Sequence, residues 1–268
     1  MSTPQKITLI GCGSWGARIA RKLASMGYAD RLVLLDELEA AVAPLAAELD
    51  CVYSTDVEGY LSVTGTQADS RTGGHVIIAT PPTERLRLVH CVLNGYGLPP
   101  ASLRVEKPLA MNTDEAALIV AGCRERGVPL TVGFTLLHHP VYSSLIGDVV
   151  RPVEKIYATR VGKRPKHRVD ALLDTGIHVA ALAAWAGCEA QIIARYSDTE
   201  CTRQMAISYE EGQTMHLDET TLPEYHPSFD PLTMDLSAWL DGEHRGTPEI
   251  ALAAHRIIDE HYKRMVAA

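Results

Sequence analysis

The chain has 268 residues, 46% of them hydrophobic, enough to bury a full core in one large domain or two modest ones. Its net charge of −8 is spread along the sequence and no lysine or arginine stripe forms, which argues against nucleic acid or an anionic membrane as partner and favours a small metabolite. No apolar run reaches the ~18 residues of a spanning helix, the opening MSTPQKITLIG enters a strand without a signal-peptide core, and the cysteines are scattered without a C-x-x-C pair. The expected setting is therefore the reducing cytoplasm, with no structural metal.

A first strand over 6–10 leads into Gly11-Cys12-Gly13-Ser14-Trp15-Gly16 and then an amphipathic helix over 17–26. This is G-x-G-x-x-G between a strand and a helix. Gly11 permits the tight turn, Gly13 lets backbone approach a pyrophosphate, Gly16 allows close helix–sheet packing, and the helix N-terminus offers N–H groups to phosphate. Trp15 either covers a bound dinucleotide or fills space beneath the turn. The second strand, over 31–35, ends at Asp36, twenty positions beyond Gly16, where a carboxylate accepts hydrogen bonds from an adenosine ribose. Asp36 and Glu37 repel a 2′-phosphate and no arginine follows in the turn, so NAD is expected over NADP. A second reading of Asp36, as N-cap of the Ala-rich helix over 37–49, keeps NADP open. Pro44 predicts that this helix is kinked or starts late, near Ala43.

A short strand near 51–53 and a helical piece from Val57 precede a Gly/Thr/Ser-rich surface loop over 64–74. HVIIA, over 75–79, reads as a strand buried on both faces of a parallel sheet. It ends in Thr80-Pro81-Pro82-Thr83, an abrupt turn that presents Thr80 to the cofactor crevice, with Thr83 as cap of a helix over 84–94. The strand over 103–105 then delivers Glu106 and Lys107, and Pro108, which lacks an N–H, stops the ladder. Lys107 is thus expected at the carboxyl edge of the sheet, where ligands bind and an ammonium delivers or polarises a proton. The plainer reading is a surface Glu-Lys pair before a turn. A helix over 113–126 and a strand over 130–134 complete six strands, a doubly wound Rossmann-type sheet in an α/β domain over 1–139.

Beyond Pro140 the pattern changes. Strands over 154–162, 191–197, 203–209 and 214–219, the last two joined by the hairpin signal EEGQ, predict a smaller α+β domain over 140–268 with an open, mainly antiparallel sheet. A helix over 172–186 carries Asp174 and His178 at i,i+4, so a carboxylate can orient or charge-stabilise the imidazole. The alternative is a capping aspartate and an interfacial histidine. The last helix, over 248–266, is amphipathic, with Leu252, Ile257 and Ile258 as core positions, and packs back on the sheet.

GCGSWG, IIATPP, VEKPLA, VGF and DTGIH, in this order and rough spacing, resemble the glucose-fructose oxidoreductase / inositol dehydrogenase (Gfo/Idh/MocA) family over nearly the whole chain. The resemblance implies a dinucleotide domain followed by an open-faced sheet domain that often forms the oligomer surface, hence a homo-oligomer. It further implies a catalytic trio of Lys107, Asp174 and His178. Cofactor contacts fall on Gly11, Gly13, Ser14, Trp15, Gly16, Asp36, Thr80 and Pro81, with Glu106 near the nicotinamide ribose. The activity so implied is NAD-dependent hydride transfer to or from a carbonyl, hydroxyl or imine carbon of a small, sugar-like metabolite. A non-catalytic NAD-binding sensor is the alternative, because the family includes a repressor.

Four positions depart from the family pattern. Arg85 stands where histidine is frequent, Thr135 and Leu137 where asparagine and arginine are, and Ala181 where aspartate is. Positions 85, 135 and 137 commonly face substrate in the family, and the loss of polar groups argues against a polyol held by many hydrogen bonds. His138, His139, Lys163, Arg164, Lys166 and His167 are pocket cations for an anionic substrate or, the preferred reading, solvated loop residues.

Overall fold

The computed structural model describes residues 5–61, 73–95, 99–147, 152–162, 169–219 and 230–267; the expected loop over 64–74 lies mostly outside them, as do Lys163, Arg164, Lys166 and His167. The chain divides into two compact units, Met1–Ala110 with Ala117–Gly133, and Met111–Ala116 with Phe134–Ala268.

The first unit is built on six parallel strands: β1 (Ile7–Ile10), β2 (Leu32–Leu35), β3 (Val52–Ser54), β4 (Gly73–Ile78), β5 (Pro100–Glu106) and β6 (Leu130–Gly133). Their order is β3-β2-β1-β4-β5-β6, so the winding reverses between β1 and β4 and a crevice opens at the carboxyl ends of those two strands. Register fixes what reaches it. Ile10 lies beside Leu35 and Ile78, and Ile78 beside Val105, so Gly11, Asp36, Thr80 and Glu106 leave the sheet at nearly one level. Ile7, Leu9, Leu34 and Ile77 are wholly buried, which at about 1.5–3 kcal/mol per large apolar side chain makes the middle of the sheet a rigid base for those turns.

Helix α1 (Ser14–Leu23) starts three residues earlier than the pattern of apolar residues predicts, because Gly13 is extended and its carbonyl accepts from Ala17 N–H at 2.8 Å. It continues as a π segment, Ala24–Tyr28, until Gly27 takes a φ of 91° and breaks it before β2. Helix α2 (Glu39–Leu49) runs through Pro44 and does not start late. Pro44 faces solvent, so the carbonyl it leaves without an N–H partner is open to water. Helix α3 (Pro82–Asn94) begins on Pro82 with Pro81 at the N-cap position, so Thr83 lies inside the first turn and does not cap it. Helix α4 (Thr113–Glu125) precedes β6.

The second unit carries a mixed sheet in the order β10-β9-β7-β8, from β7 (Val153–Gly162), β8 (Glu189–Tyr196), β9 (Thr202–Tyr209) and β10 (Thr214–Asp218). The β7/β9 and β9/β10 pairs are antiparallel, but β7/β8 is parallel. A parallel pair needs a crossover, supplied here by the π segment Leu172–Gly176 and helix α5 (Ile177–Ala186). One face of the sheet buries Ile156, Ala158, Ile192, Met205 and Ile207. The other is a shallow concavity of about 540 Å³ lined by Tyr157, Thr159, Ile193, Gln204 and His216 among others. On the buried side Glu219 accepts from the Tyr142 hydroxyl and pairs with Arg160 at 2.5 Å; burial, then the Glu219 charge, push the Tyr142 pKa well above its usual value.

Helix α6 (Pro231–Leu240) is capped by Asp230, whose carboxylate accepts from Leu232 N–H. Helix α7 (Pro248–Ala267) packs on α5; its Ala251, Ala254, His255 and Ile258 are buried, while Leu252 and Ile257 are only half-buried. Among the described residues no helix is long and apolar enough to cross a membrane, and no three His, Cys, Asp or Glu side chains gather as a metal site.

Candidate active site

The glycine turn is shaped by three different demands. Gly11 has a φ of 95°, and a Cβ there would press on Ala79 and Thr80 at 2.9 Å, so both backbone and space require glycine. A Cβ on Gly16 would overlap the Gly11 carbonyl oxygen. Gly13 differs: a Cβ there would meet nothing within 4 Å among the described residues. The fold itself does not need glycine at 13, and the open side is where an approaching phosphate group would lie.

Asp36, half-buried at the end of β2, ties this turn down. Its Oδ2 accepts from Cys12 N–H at 2.6 Å and its Oδ1 from Leu38 N–H at 2.9 Å. The N-cap position of α2 belongs to Leu38, so the capping reading of Asp36 does not hold. Each carboxylate oxygen keeps an acceptor site beyond the bond it makes, enough for a diol. Burial, then Asp36, push the Cys12 thiol up to about 12, which keeps it neutral. Ser14 is exposed; Trp15 is half-buried, with the Arg18 guanidinium 5.1 Å from its ring centre.

Across the crevice, the turns after β4 and β5 are joined by a residue that sequence reasoning placed elsewhere. Arg85 is buried, with 4% of its surface exposed. Its Nε and Nη2 donate to Thr80 O at 3.0 and 2.8 Å, and its Nη1 donates to the carbonyls of Glu106 and Pro108. Burial draws its pKa down to about 10, against the opposing pull of Glu106, so it is a cation at neutral pH. The expectation that position 85 faces substrate is therefore corrected. So is that for Leu137, which is fully buried; of the three positions behind the inference against a polyol only Thr135, half-buried, keeps exposed surface. The Thr80 hydroxyl oxygen is buried without a hydrogen-bond partner among the described residues, a polar atom waiting for a donor or acceptor in the crevice.

Lys107 is half-buried directly beyond β5. The Glu106 side chain, expected near a nicotinamide ribose, turns back into the sheet and pairs with Arg104, both essentially without exposure. The pair lies over Gly133 on β6, where a Cβ would overlap Glu106 Oε1 and stand 2.7 and 2.8 Å from the Arg104 nitrogens. This explains the glycine of VGF by its neighbours on the adjacent strand.

In the second unit, Asp174 lies in the π segment and His178 is the second residue of α5. The continuous α-helix expected over 172–186 thus opens with a wider turn, which rotates the pair relative to α-helical i,i+4 geometry. Both side chains are half-buried. The Tyr196 hydroxyl on β8 donates to Val169 O at 2.8 Å and approaches Asp174 Oδ2 at 3.3 Å, a tether that sequence reasoning missed because it spans 22 positions. His138 and His139, expected as solvated loop residues, are buried. His138 Nε2 lies 3.6 Å from Asp235 of α6, and His139 Nδ1 accepts from Val141 N–H, capping the turn Pro140–Tyr142.

At the level of sequence, no family model and no curated protein matches the chain. Solved structures do match in fold. The UDP-N-acetylglucosamine 3-dehydrogenase GnnA from Acidithiobacillus ferrooxidans superposes with a TM-score of 0.76 at 19% identity, covering 97% of this chain and 96% of that one. The WlbA (WbpB) dehydrogenase from Thermus thermophilus, solved with NAD and UDP-GlcNAcA, gives 0.72 at 17% identity over 95% and 94%. Scyllo-inositol dehydrogenase from Lactobacillus casei, solved with NAD(H) and scyllo-inositol, gives 0.70 at 14% identity over 96% and 95%. With a six-stranded Rossmann-like sheet and a second mixed sheet, the chain has the two-domain fold of the Gfo/Idh/MocA-type dehydrogenases.

Proposed function

We propose that this protein is an NAD-dependent oxidoreductase acting on a carbonyl or hydroxyl carbon of a small, sugar-like metabolite. The observation that carries the reading is Gly13, a glycine that the fold leaves in open space next to Cys12, whose N–H is held by the Asp36 carboxylate. The fold's relatives are dehydrogenases that, by their names, act on a nucleotide sugar or an inositol, or were solved with such a molecule.

The residues present fit the dinucleotide. Gly11, Gly13, Ser14, Trp15 and Gly16 with the N-terminus of α1 would receive its pyrophosphate, Asp36 its adenosine ribose, and Thr80, Pro81 and Glu106 its nicotinamide half, the last through backbone, since the carboxylate is engaged by Arg104. When bound, NAD accepts or gives a hydride at C4 of the nicotinamide. Lys107 donates a hydrogen bond to the substrate oxygen and stabilises charge that develops there. His178 takes the hydroxyl proton in oxidation and returns it in reduction, and Asp174 orients the ring and offsets its positive charge. We further assign the open face of the second sheet to contact with another copy of the chain, and the protein to the cytoplasm.

The test is a spectrophotometric screen at 340 nm over UDP-N-acetylglucosamine, UDP-linked uronic acids, inositols and simple sugars, paired with calorimetric titration of NADH. Turnover that Lys107→Ala lowers by roughly 10²- to 10⁴-fold supports the reading. Tight NADH binding without turnover of any compound would favour a sensor.

A further inference from the structure

Arg85 has no part in the reading above, yet it is a fully desolvated cation one turn into α3. That is a poor place for it on stability grounds. A positive charge near a helix N-terminus opposes the macrodipole, and burying a guanidinium is costly unless its donors are satisfied. Its neighbours along the helix at Leu88, Val89 and Leu93 are apolar core, and a leucine at 85 would continue them. What the guanidinium obtains is three carbonyl oxygens: those of Thr80 and Pro108, beyond the ends of β4 and β5, and that of Glu106, the last residue of β5.

Glu106 and Pro108 are the residues on either side of Lys107. We propose that Arg85 is the positioning residue for Lys107, clamping the backbone on both flanks of that lysine and locking it to the Thr80 turn. A planar fork with five donors serves three acceptors at once; an ammonium is a point charge with one centre, and a neutral imidazole has a single donor. The clamp also explains how arginine functions where the resembled family frequently has histidine. Through it, the turn assigned to cofactor and the lysine assigned to the substrate oxygen move as one body.

The proposal rests on the oxidoreductase reading only for its kinetic consequence. Its structural part is tested by competitive acetylation of the holoprotein with acetic anhydride, followed by peptide mass spectrometry, with Lys6, Lys22 and Lys155 as internal standards. In Arg85→Met, the Lys107 rate relative to the standards is expected to change several-fold while theirs stay constant; Arg85→Lys falls between. On a substrate found by the screen, kcat of Arg85→Met falls by ~10²-fold, the scale of an ångström misplacement, while KM and NADH affinity move much less. Unchanged Lys107 labelling in a folded Arg85→Met or Arg85→Lys protein overturns the proposal, as does loss of folding in both, which would make Arg85 a structural cross-link only. If Lys107→Ala keeps full activity while labelling responds to Arg85, the clamp stands and the catalytic role of Lys107 falls.

Discussion

The backbone N–H of Cys12 donates a 2.6 Å hydrogen bond to the Asp36 carboxylate, so the glycine turn after β1 and the acidic end of β2 form one piece. A carboxylate held this way cannot swing aside for a phosphate.

The first prediction follows from that bond. Hydrogen bonds to a charged group contribute about 1.5–3 kcal/mol each, so NADH should bind at least roughly tenfold more tightly than NADPH. Asp36→Ser combined with Glu37→Arg should narrow or reverse the ratio in calorimetry. NADPH binding more tightly to the unaltered protein would mean that Asp36 serves the turn alone.

Three glycines should separate folding from binding. Gly11→Ala, at a φ of 95° and in contact with Thr80, should lower thermal stability, and Gly133→Ala should do so by about 1–3 kcal/mol because it overpacks the Arg104–Glu106 pair. Gly13→Ala should leave stability within about 0.5 kcal/mol yet weaken NADH binding. Equal NADH affinity in Gly13→Ala would remove the main support for a pyrophosphate at that turn.

Acid sensitivity should trace in part to His75. It lies on β4 with Nδ1 2.8 Å from Ser102 Oγ, and burial, then Arg31, lower its pKa. The folded state therefore holds His75 neutral where the unfolded chain begins to bind a proton, at about pH 6.5. More protons on the unfolded side means that stability rises with pH across this window, and is lost as pH falls below it. Melting temperatures of wild type and His75→Asn should run parallel above neutrality and converge toward acid pH; curves parallel throughout would exclude His75 as a source.

The open face of the second sheet offers a test of assembly. Ile193 is 58% exposed and Tyr157 42% exposed on it, an apolar patch that a second copy would cover. Light scattering should find wild type oligomeric and Ile193→Lys shifted toward monomer. A monomeric wild type would refute the assignment.

The glycine turn, the end of β2 at Asp36 and the stop at Pro108 were legible in the sequence because each depends on backbone torsion and hydrogen-bonding capacity within a few residues. The alternation in β8 likewise reports which side of one strand is covered. None of these rules says what lies across from a residue. Arg85 read as a departure from a family pattern at a position that commonly faces substrate, and Gly133 only as part of the VGF motif; His138 and His139 read as solvated loop residues. Three of them owe their roles to partners far along the chain: the Glu106 carbonyl for Arg85, the Arg104–Glu106 pair for Gly133, and Asp235 for His138. Strand ends and the torsions that glycine must supply are thus local properties, readable residue by residue. Which groups satisfy the buried Arg85 and His138 follows from packing, because a buried charge or polar group is stable only beside partners, and Glu106 and Asp235 are distant from them in the chain.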